Sequence, residues 1–238
     1  MTDIRYPVAS GTLPGYLAVP SGPISTGTAP WPAVVVLHEV FGLTDDIRKQ
    51  ADRFAEHGYL ALAPDLFGWG NTARCLVASF RTMLKGDGRI FDDVEGARRF
   101  LADRDDCSGQ VGVIGFCFGG GLALLTAPNG FAASAPNYGH LPKDPLKRLA
   151  DSCPTVASYG AKDRQLKGAA SKLEAALTEL GVEHDVKEYP TAKHGFLFKH
   201  TGKQAWSEPL MVAYDEAAAD DAWQRIFGFF DNHLRGAA

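Results

Sequence analysis

The stretch VGVIGFCFGGG at residues 111–121 decides the fold of this chain. Its apolar first half has the length of a buried strand, and the small and apolar residues that continue to position 126 are typical of a helix. Gly115, Cys117 and Gly119 have the spacing of the G-x-S-x-G motif, in which the nucleophile occupies a sharp turn between a strand and a helix. The sequence therefore predicts a nucleophile elbow with Cys117 in the serine position. The N-terminus of the helix would favour a thiolate there.

Two other interpretations of this stretch have to be weighed. A cysteine among apolar residues is commonly a small core residue. A glycine-rich turn before a helix can also hold a phosphate, although neither the Gly-Lys-Ser/Thr of a P-loop nor a G-x-G-x-x-G pattern is present. A nucleophile at Cys117 requires a base and an orienting acid elsewhere in the chain.

The composition excludes several classes of protein. The chain has 238 residues, 45% of them hydrophobic, and a net charge of −4, which suits one α/β domain over residues 1–238. No basic stripe indicates nucleic acid, and neither a signal peptide nor a membrane span is visible. The four cysteines form no C-x-x-C pair, which favours free thiols and a cytoplasmic location. We expect no metal and no cofactor.

Strands and helices alternate along the chain. Residues 33–37 (AVVVL) form a continuous apolar run, as expected of a central parallel strand buried on both faces. A helix from Ile47 to His57 follows, with Asp45 or Asp46 as its N-cap. Further segments predicted from the same patterns are strands at 59–65, 131–135, 154–160 and 182–189, and helices at 72–85, 90–103, 166–180 and 209–234. This order predicts a doubly wound, mostly parallel α/β sheet with helices on both faces.

Three reactive residues follow predicted strands, namely Cys117, Asp163 and His194. In open α/β sheets, ligands bind at the carboxyl ends of the strands. The order nucleophile, acid, histidine is that of the α/β-hydrolases. We therefore predict Cys117 as nucleophile, His194 as base and Asp163 as the acid that orients the histidine. Taken singly, Asp163 could be a turn residue and His194 a packed loop histidine.

Glu39 ends the predicted central strand, where a carboxylate is costly without a partner. It could be a surface acid, but its loop stands where an oxyanion-hole loop is expected. The backbone N–H groups of Val40 and Phe118 are then the predicted oxyanion donors. The pair His38-Glu39 is not a zinc motif, because no histidine follows three residues after Glu39.

Five motifs together resemble the dienelactone hydrolase, or carboxymethylenebutenolidase, family. They are LHEVFG at 37–42, the segment 59–66, GFCFGG at 115–120, the segment 160–163 and KHGF at 193–196. The resemblance extends from about residue 10 to residue 234. It implies an α/β-hydrolase fold, hydrolysis of a small-molecule ester or lactone, and the roles given above for Cys117, His194 and Asp163. It further implies that Glu39 contacts the resting thiol and helps to generate the thiolate when substrate binds.

The chain departs from this family where the substrate is bound. The family grips a substrate carboxylate with arginines, and Phe198 stands where one of them is expected, four residues after His194. Arg74 and Arg81 are candidates for the other. We therefore predict a preference for neutral or aryl esters, in a pocket whose candidate walls include Phe41, Trp69, Phe118, Tyr138, Phe196 and Phe198.

Three other hypotheses concern activity and assembly. A thioesterase or acyl transferase could use the same three residues, and a non-catalytic binding protein could share the fold. The sequence is compatible with a monomer or a homodimer.

Overall fold

A computed structural model describes residues 1–21, 28–70, 72–201 and 213–235. The strands are β1 (Thr2–Val8), β2 (Gly11–Ala18), β3 (Trp31–Leu37), β4 (Leu60–Pro64), β5 (Cys107–Phe116), β6 (Ala133–Asn137), β7 (Thr155–Gly160) and β8 (His184–Tyr189). The helices are α1 (Asp45–Glu56), α2 (Thr72–Lys85), α3 (Arg89–Ala102), α4 (Phe118–Thr126), α5 (Pro145–Arg148), α6 (Ala169–Glu179) and α7 (Glu216–Leu234). None of these helices combines the length and the apolar composition needed to cross a membrane.

The strands form one eight-stranded sheet in the order β1-β2-β4-β3-β5-β6-β7-β8. The pairs β1–β2 and β2–β4 are antiparallel, whereas every pair from β4–β3 to β7–β8 is parallel. The predicted mostly parallel, doubly wound sheet is thus confirmed, and β1 and β2 add an antiparallel hairpin at one edge. Parallel neighbours require crossover connections, and helices supply them on both faces.

The continuous apolar run of β3 is explained by burial on both faces of the sheet. Val34 and Val36 pack into a core shared with α1, α6 and α7, which contains Phe54 and Phe230. Val35 points the opposite way, into a second core shared with α3 and α4. Because successive strand residues face opposite sides, a strand covered on both sides shows no polar alternation.

The carboxyl ends of the parallel strands meet at one edge of the sheet. Glu39 lies two residues beyond β3, Cys117 directly beyond β5 and Asp163 three residues beyond β7. His194 lies in the loop after β8. The topology therefore places the predicted site residues of four different strands together.

Several predicted boundaries need correction. The cap of α1 is Thr44, whose hydroxyl accepts a hydrogen bond from the N–H of Ile47 at 3.4 Å, so Asp45 and Asp46 belong to its first turn. Strand β6 runs to Asn137, because pairing with β5 continues through Pro136. The last helix begins at Glu216, where Asp215 caps it, so residues 213–215 are not helical. Positions 209–212, the predicted start of that helix, lie outside the described residues.

Candidate active site

Cys117 occupies a strained turn between β5 and α4. Its φ of 54° and ψ of −112° lie in a region that residues with side chains rarely adopt. The glycines on either side are required by close backbone contacts. A Cβ at Gly115 would lie 1.9 Å from the carbonyl oxygen of Gly119, and one at Gly119 would lie 2.3 Å from that of Leu37. The elbow therefore presses the start of α4 against the end of β3.

His194 and Asp163 form a buried hydrogen-bonded pair beside Cys117. The distance from His194 Nδ1 to Asp163 Oδ2 is 2.5 Å, and both side chains are less than one-tenth exposed. Asp163 is itself held in place, because its Oδ1 accepts the backbone N–H of Gln165 at 3.0 Å. With Nδ1 engaged, Nε2 is the ring nitrogen that remains for the hydrogen bond between His194 and Cys117.

The electrostatics of this group favour a charged imidazole. Burial alone would lower the pKa of His194, but hydrogen bonds and charge interactions with Asp163 and Cys117 outweigh it and raise the pKa to about 10. The ring of Tyr138 lies edge-on against that of His194, with 5.1 Å between their centroids. Burial, together with the charges of Glu39 and Cys117, raises the pKa of Tyr138. These interactions place Tyr138 among the four candidate catalytic side chains.

The Glu39 carboxylate is buried and has a partner that sequence reasoning did not assign to it. Its Oε2 accepts a hydrogen bond from Nε2 of His200 at 2.8 Å, and both side chains are less than one-tenth exposed. The resemblance implied a contact between Glu39 and the resting thiol, whereas the hydrogen bond found here comes from His200. A clue was available in the sequence, because a buried carboxylate requires a partner and a histidine stands six residues after His194.

His38 has a structural role that the sequence did not predict. Its buried ring donates from Nδ1 to the carbonyl of Glu39 at 2.7 Å and accepts at Nε2 from the N–H of Leu66 at 3.1 Å. These roles require the neutral imidazole, and burial lowers its pKa despite the hydrogen bond to Glu39 and the nearby charges. His38 thus ties the loop after β3 to the loop after β4.

The predicted oxyanion donors lie on two elements that the elbow brings together. Phe118 is the first residue of α4, where helix N–H groups lack intrahelical partners. Val40 follows Glu39 in a turn closed by a hydrogen bond from the N–H of Gly42 to the carbonyl of Glu39 at 3.2 Å. The proximity of Gly119 to Leu37 holds these two segments side by side.

A cavity of about 490 Å³ opens beside Cys117. Its walls come from α2, from α4 and from the segment between β6 and α5. The apolar lining residues are Met83, Phe118, Leu125, Leu141 and Pro142, and the polar ones besides Cys117 are His140, Lys143, Asp144 and Arg148. Of the side chains that line it, sequence reasoning had identified only Cys117 and Phe118.

The other predicted substrate-binding side chains do not line this cavity. Phe198 is buried between the rings of Phe116 and His200, at centroid distances of 5.2 and 5.0 Å. The ring of Phe41 lies edge-on to that of His200, with 6.4 Å between their centroids, and Tyr138 is fully buried against His194.

The remaining predicted residues, Trp69, Arg74 and Arg81, also lie outside the cavity lining. The indole of Trp69 donates a hydrogen bond to Asp93 at 2.8 Å. Arg74 and Arg81 lie on the exposed face of α2, where they line a separate shallow recess with Val77.

The described residues contain no cluster of three or more His, Cys, Asp or Glu side chains suited to a metal ion. All four cysteines are free thiols in this structure.

The sheet order, the elbow and the chain order of the three residues define the class of the α/β-hydrolases. An α/β-hydrolase from a Medee basin deep-sea metagenome library has the same fold, with a TM-score of 0.70 at 16% identity over 99% of this chain and 98% of that one. The model of the dienelactone hydrolase family matches residues 13–234, and this chain belongs to that family.

Named relatives agree with this assignment. The carboxymethylenebutenolidase of Rhodococcus opacus is 30% identical over 248 residues, which cover 98% of this chain and 94% of the relative. A dienelactone hydrolase-like promiscuous phosphotriesterase from metagenomic libraries superposes with a TM-score of 0.80 at 25% identity, covering 98% of each chain. The chain is therefore a hydrolase of the type that acts on esters or lactones, as the sequence predicted.

Proposed function

We propose that this protein hydrolyses neutral carboxylic esters or lactones through a thioester on Cys117, with His194 as acid and base and Asp163 as the orienting acid. The observation that carries the proposal is the buried hydrogen bond between Asp163 and His194, whose imidazole interacts with Cys117 in the lining of a cavity. A protonated His194 next to the sulfur, together with the N-terminus of α4, stabilises a thiolate.

The reaction consists of two acyl transfers. The Cys117 thiolate attacks the carbonyl carbon, and the oxyanion that forms is received by the N–H groups of Val40 and Phe118. The carbon–oxygen bond then breaks, and the leaving oxygen takes the proton from Nε2 of His194, which leaves a thioester. In the second half, His194 accepts a proton from water as the water attacks the thioester. The carbon–sulfur bond breaks and the acid is released while the thiolate returns.

The lining of the cavity also favours a neutral substrate, by an argument that does not depend on Phe198. Phe198 lies outside it, so the apolar surface near the nucleophile comes instead from Phe118, Leu125 and Leu141. A carboxylate placed against these three apolar side chains would lose its hydration and gain no partner from them. The charged lining residues are Lys143, Arg148 and Asp144. Asp144 would repel an anion, and Arg148 already donates a hydrogen bond to the carbonyl oxygen of Lys85.

The first test compares the wild type with Cys117→Ala on p-nitrophenyl butyrate. We expect kcat to fall by at least about a thousandfold, as for removal of a nucleophile, with an unchanged melting temperature. Mass spectrometry under single turnover should find the butyryl group on the peptide that contains Cys117. Cys107→Ala is the matched control, since Cys107 begins β5 at the end opposite Cys117. Full turnover by Cys117→Ala would overturn the assignment.

The second arm addresses substrate charge with dimethyl glutarate and monomethyl glutarate, which differ in one carboxylate. We expect kcat/KM to favour the diester by at least about tenfold, because the acid would have to be desolvated. A preference for the acid would mean that Lys143 or Arg148 receives a carboxylate, and the neutral-substrate proposal would then be wrong.

A further inference from the structure

His140 is held against the helix that carries the nucleophile. The chain leaves β6 through Tyr138, whose φ is 39°, and then through Gly139. A Cβ at Gly139 would lie 2.3 Å from the carbonyl carbon of Gly120, so only glycine permits this contact with α4. Two backbone atoms of His140 lie within 3.5 Å of where a Cβ of Gly121 would stand. The backbone of His140 is therefore fixed relative to Cys117.

The His140 side chain lies on the cavity wall and is accessible to a ligand. It lines the same cavity as Cys117 and Phe118, and it is exposed. Burial of part of the ring lowers the pKa of His140, the positive charge of His194 lowers it further, and Asp163 offsets some of this effect. The ring is thus neutral at neutral pH and close enough to His194 to sense its charge. A neutral imidazole offers one hydrogen-bond donor and one acceptor.

The reaction geometry determines which half of the substrate reaches this ring. His194 protonates the leaving oxygen, so the alcohol half of an ester must extend past His194. Tyr138 packs edge-on against His194, and His140 follows it by two residues in the wall of the cavity beside Cys117. His140 therefore lies on the His194 side of the nucleophile, along the same path. The side chains of the neighbouring Leu141 and Pro142 are apolar and offer no hydrogen bond to a substrate.

We propose that His140 determines specificity for the alcohol half of the substrate by hydrogen bonding to a hydroxyl or carbonyl group one or two carbons from the leaving oxygen. This inference rests on the proposed function and names its substrate class, namely esters of hydroxylated or carbonyl-bearing alcohols. Simple alkyl esters lack such a group, so the imidazole of His140 would hydrogen-bond only to water when they bind.

The test uses two butyrate esters of equal size, 2-hydroxyethyl butyrate and propyl butyrate. The readout is the ratio of their kcat/KM values. Because the two alcohols differ in intrinsic reactivity, variants are compared with the wild type by this ratio. Loss of one neutral hydrogen bond changes the ratio by about three- to tenfold. We expect that decrease in His140→Phe, which keeps a ring but has no donor or acceptor.

Two further variants separate hydrogen bonding from packing. His140→Gln keeps a donor and an acceptor, so it should retain more of the preference than His140→Phe. Lys147→Ala, an exposed residue of α5 that does not line the cavity, should leave the ratio unchanged. An unchanged ratio in His140→Phe would overturn the inference, as would equal losses in the Phe and Gln variants.

The same data distinguish failure of this inference from failure of the proposed function. If the wild type hydrolyses none of the three esters, namely the two alkyl butyrates and p-nitrophenyl butyrate, the proposed function itself is wrong. If it hydrolyses both butyrates and the ratio does not depend on residue 140, only the role of His140 is wrong.

Discussion

Two buried histidine–carboxylate pairs, whose histidines lie six residues apart in the chain, differ in what surrounds them. In the first, Nδ1 of His194 contacts Asp163, and the ring also bonds to Cys117 at the cavity. In the second, Nε2 of His200 contacts Glu39, and the ring packs against those of Phe41 and Phe198. The same two functional groups therefore occupy a reactive setting in one case and an aromatic, packed setting in the other.

The comparison shows that a histidine–carboxylate pair gains its chemistry from what the second ring nitrogen reaches. The pair at His194 reaches Cys117, the proposed nucleophile, so in the proposed function its proton is used in the reaction. The pair at His200 connects the loop after β3 to the segment after β8, and the adjacent Thr201 adds a hydrogen bond from its N–H to Asp46 of α1 at 2.7 Å. We infer that the second pair stabilises the position of Glu39 and the neighbouring Val40.

The largest expected effect comes from breaking the first pair with Asp163→Asn. The amide can hold His194 in the wrong tautomer, which in a comparable triad lowers kcat about ten-thousandfold. We expect a loss of about a thousandfold or more on p-nitrophenyl butyrate with little change in the unfolding midpoint. A loss of less than about threefold, equivalent to roughly 0.7 kcal/mol, would move the acid role to another residue.

Breaking the second pair should affect stability more than activity. His200→Phe preserves the aromatic packing with Phe198 but leaves the buried Glu39 carboxylate without this donor. Removal of one partner of a buried pair costs about 3 kcal/mol or more, which urea denaturation would measure. The double variant Glu39→Gln, His200→Phe should recover part of that lost stability, because residue 39 then carries no charge that needs a partner.

The opposite pattern would contradict this comparison. If His200→Phe abolished turnover at unchanged stability, the second pair would belong to the reaction machinery.

The fold could be predicted because its determinants are local. Gly115 and Gly119 are required by backbone contacts at the elbow, and the apolar run of β3 reflects burial on both faces. The proximity of Cys117, Asp163 and His194 followed from the rule that parallel strands end at one edge. Their contacts agree with the predicted roles, which remain predictions until the variants are measured.

The cavity could not be predicted, because its walls depend on the direction of side chains in loops. The family spacing of four residues after His194 identified Phe198 as a candidate substrate-binding residue. Its ring packs in the core against Phe116 instead of lining the cavity. Arg81 and Met83 lie on the same helix, yet only Met83 faces the cavity. His140 follows a left-handed residue and a glycine that the sequence alone does not orient.

The smallest expected effect concerns a third buried imidazole, His38, which extends the comparison to a ring without a carboxylate partner. Its pKa is lower in the folded chain than the unfolded value near 6.5, so unfolding takes up a proton and stability falls as the pH drops below 6.5. His194 has the opposite sign. Its raised pKa stabilises the fold below pH 6.5, and this contribution disappears as the pH rises toward about 10.

Replacing His38 by Gln keeps a hydrogen-bond donor and an acceptor but removes the titrating group. Between pH 6.5 and 5.5, the variant should therefore lose less stability than the wild type, by up to about 1 kcal/mol. Urea denaturation at both pH values measures this difference. Equal losses in the two proteins would show that His38 is charged in the folded state or does not contribute to the loss of stability at acid pH.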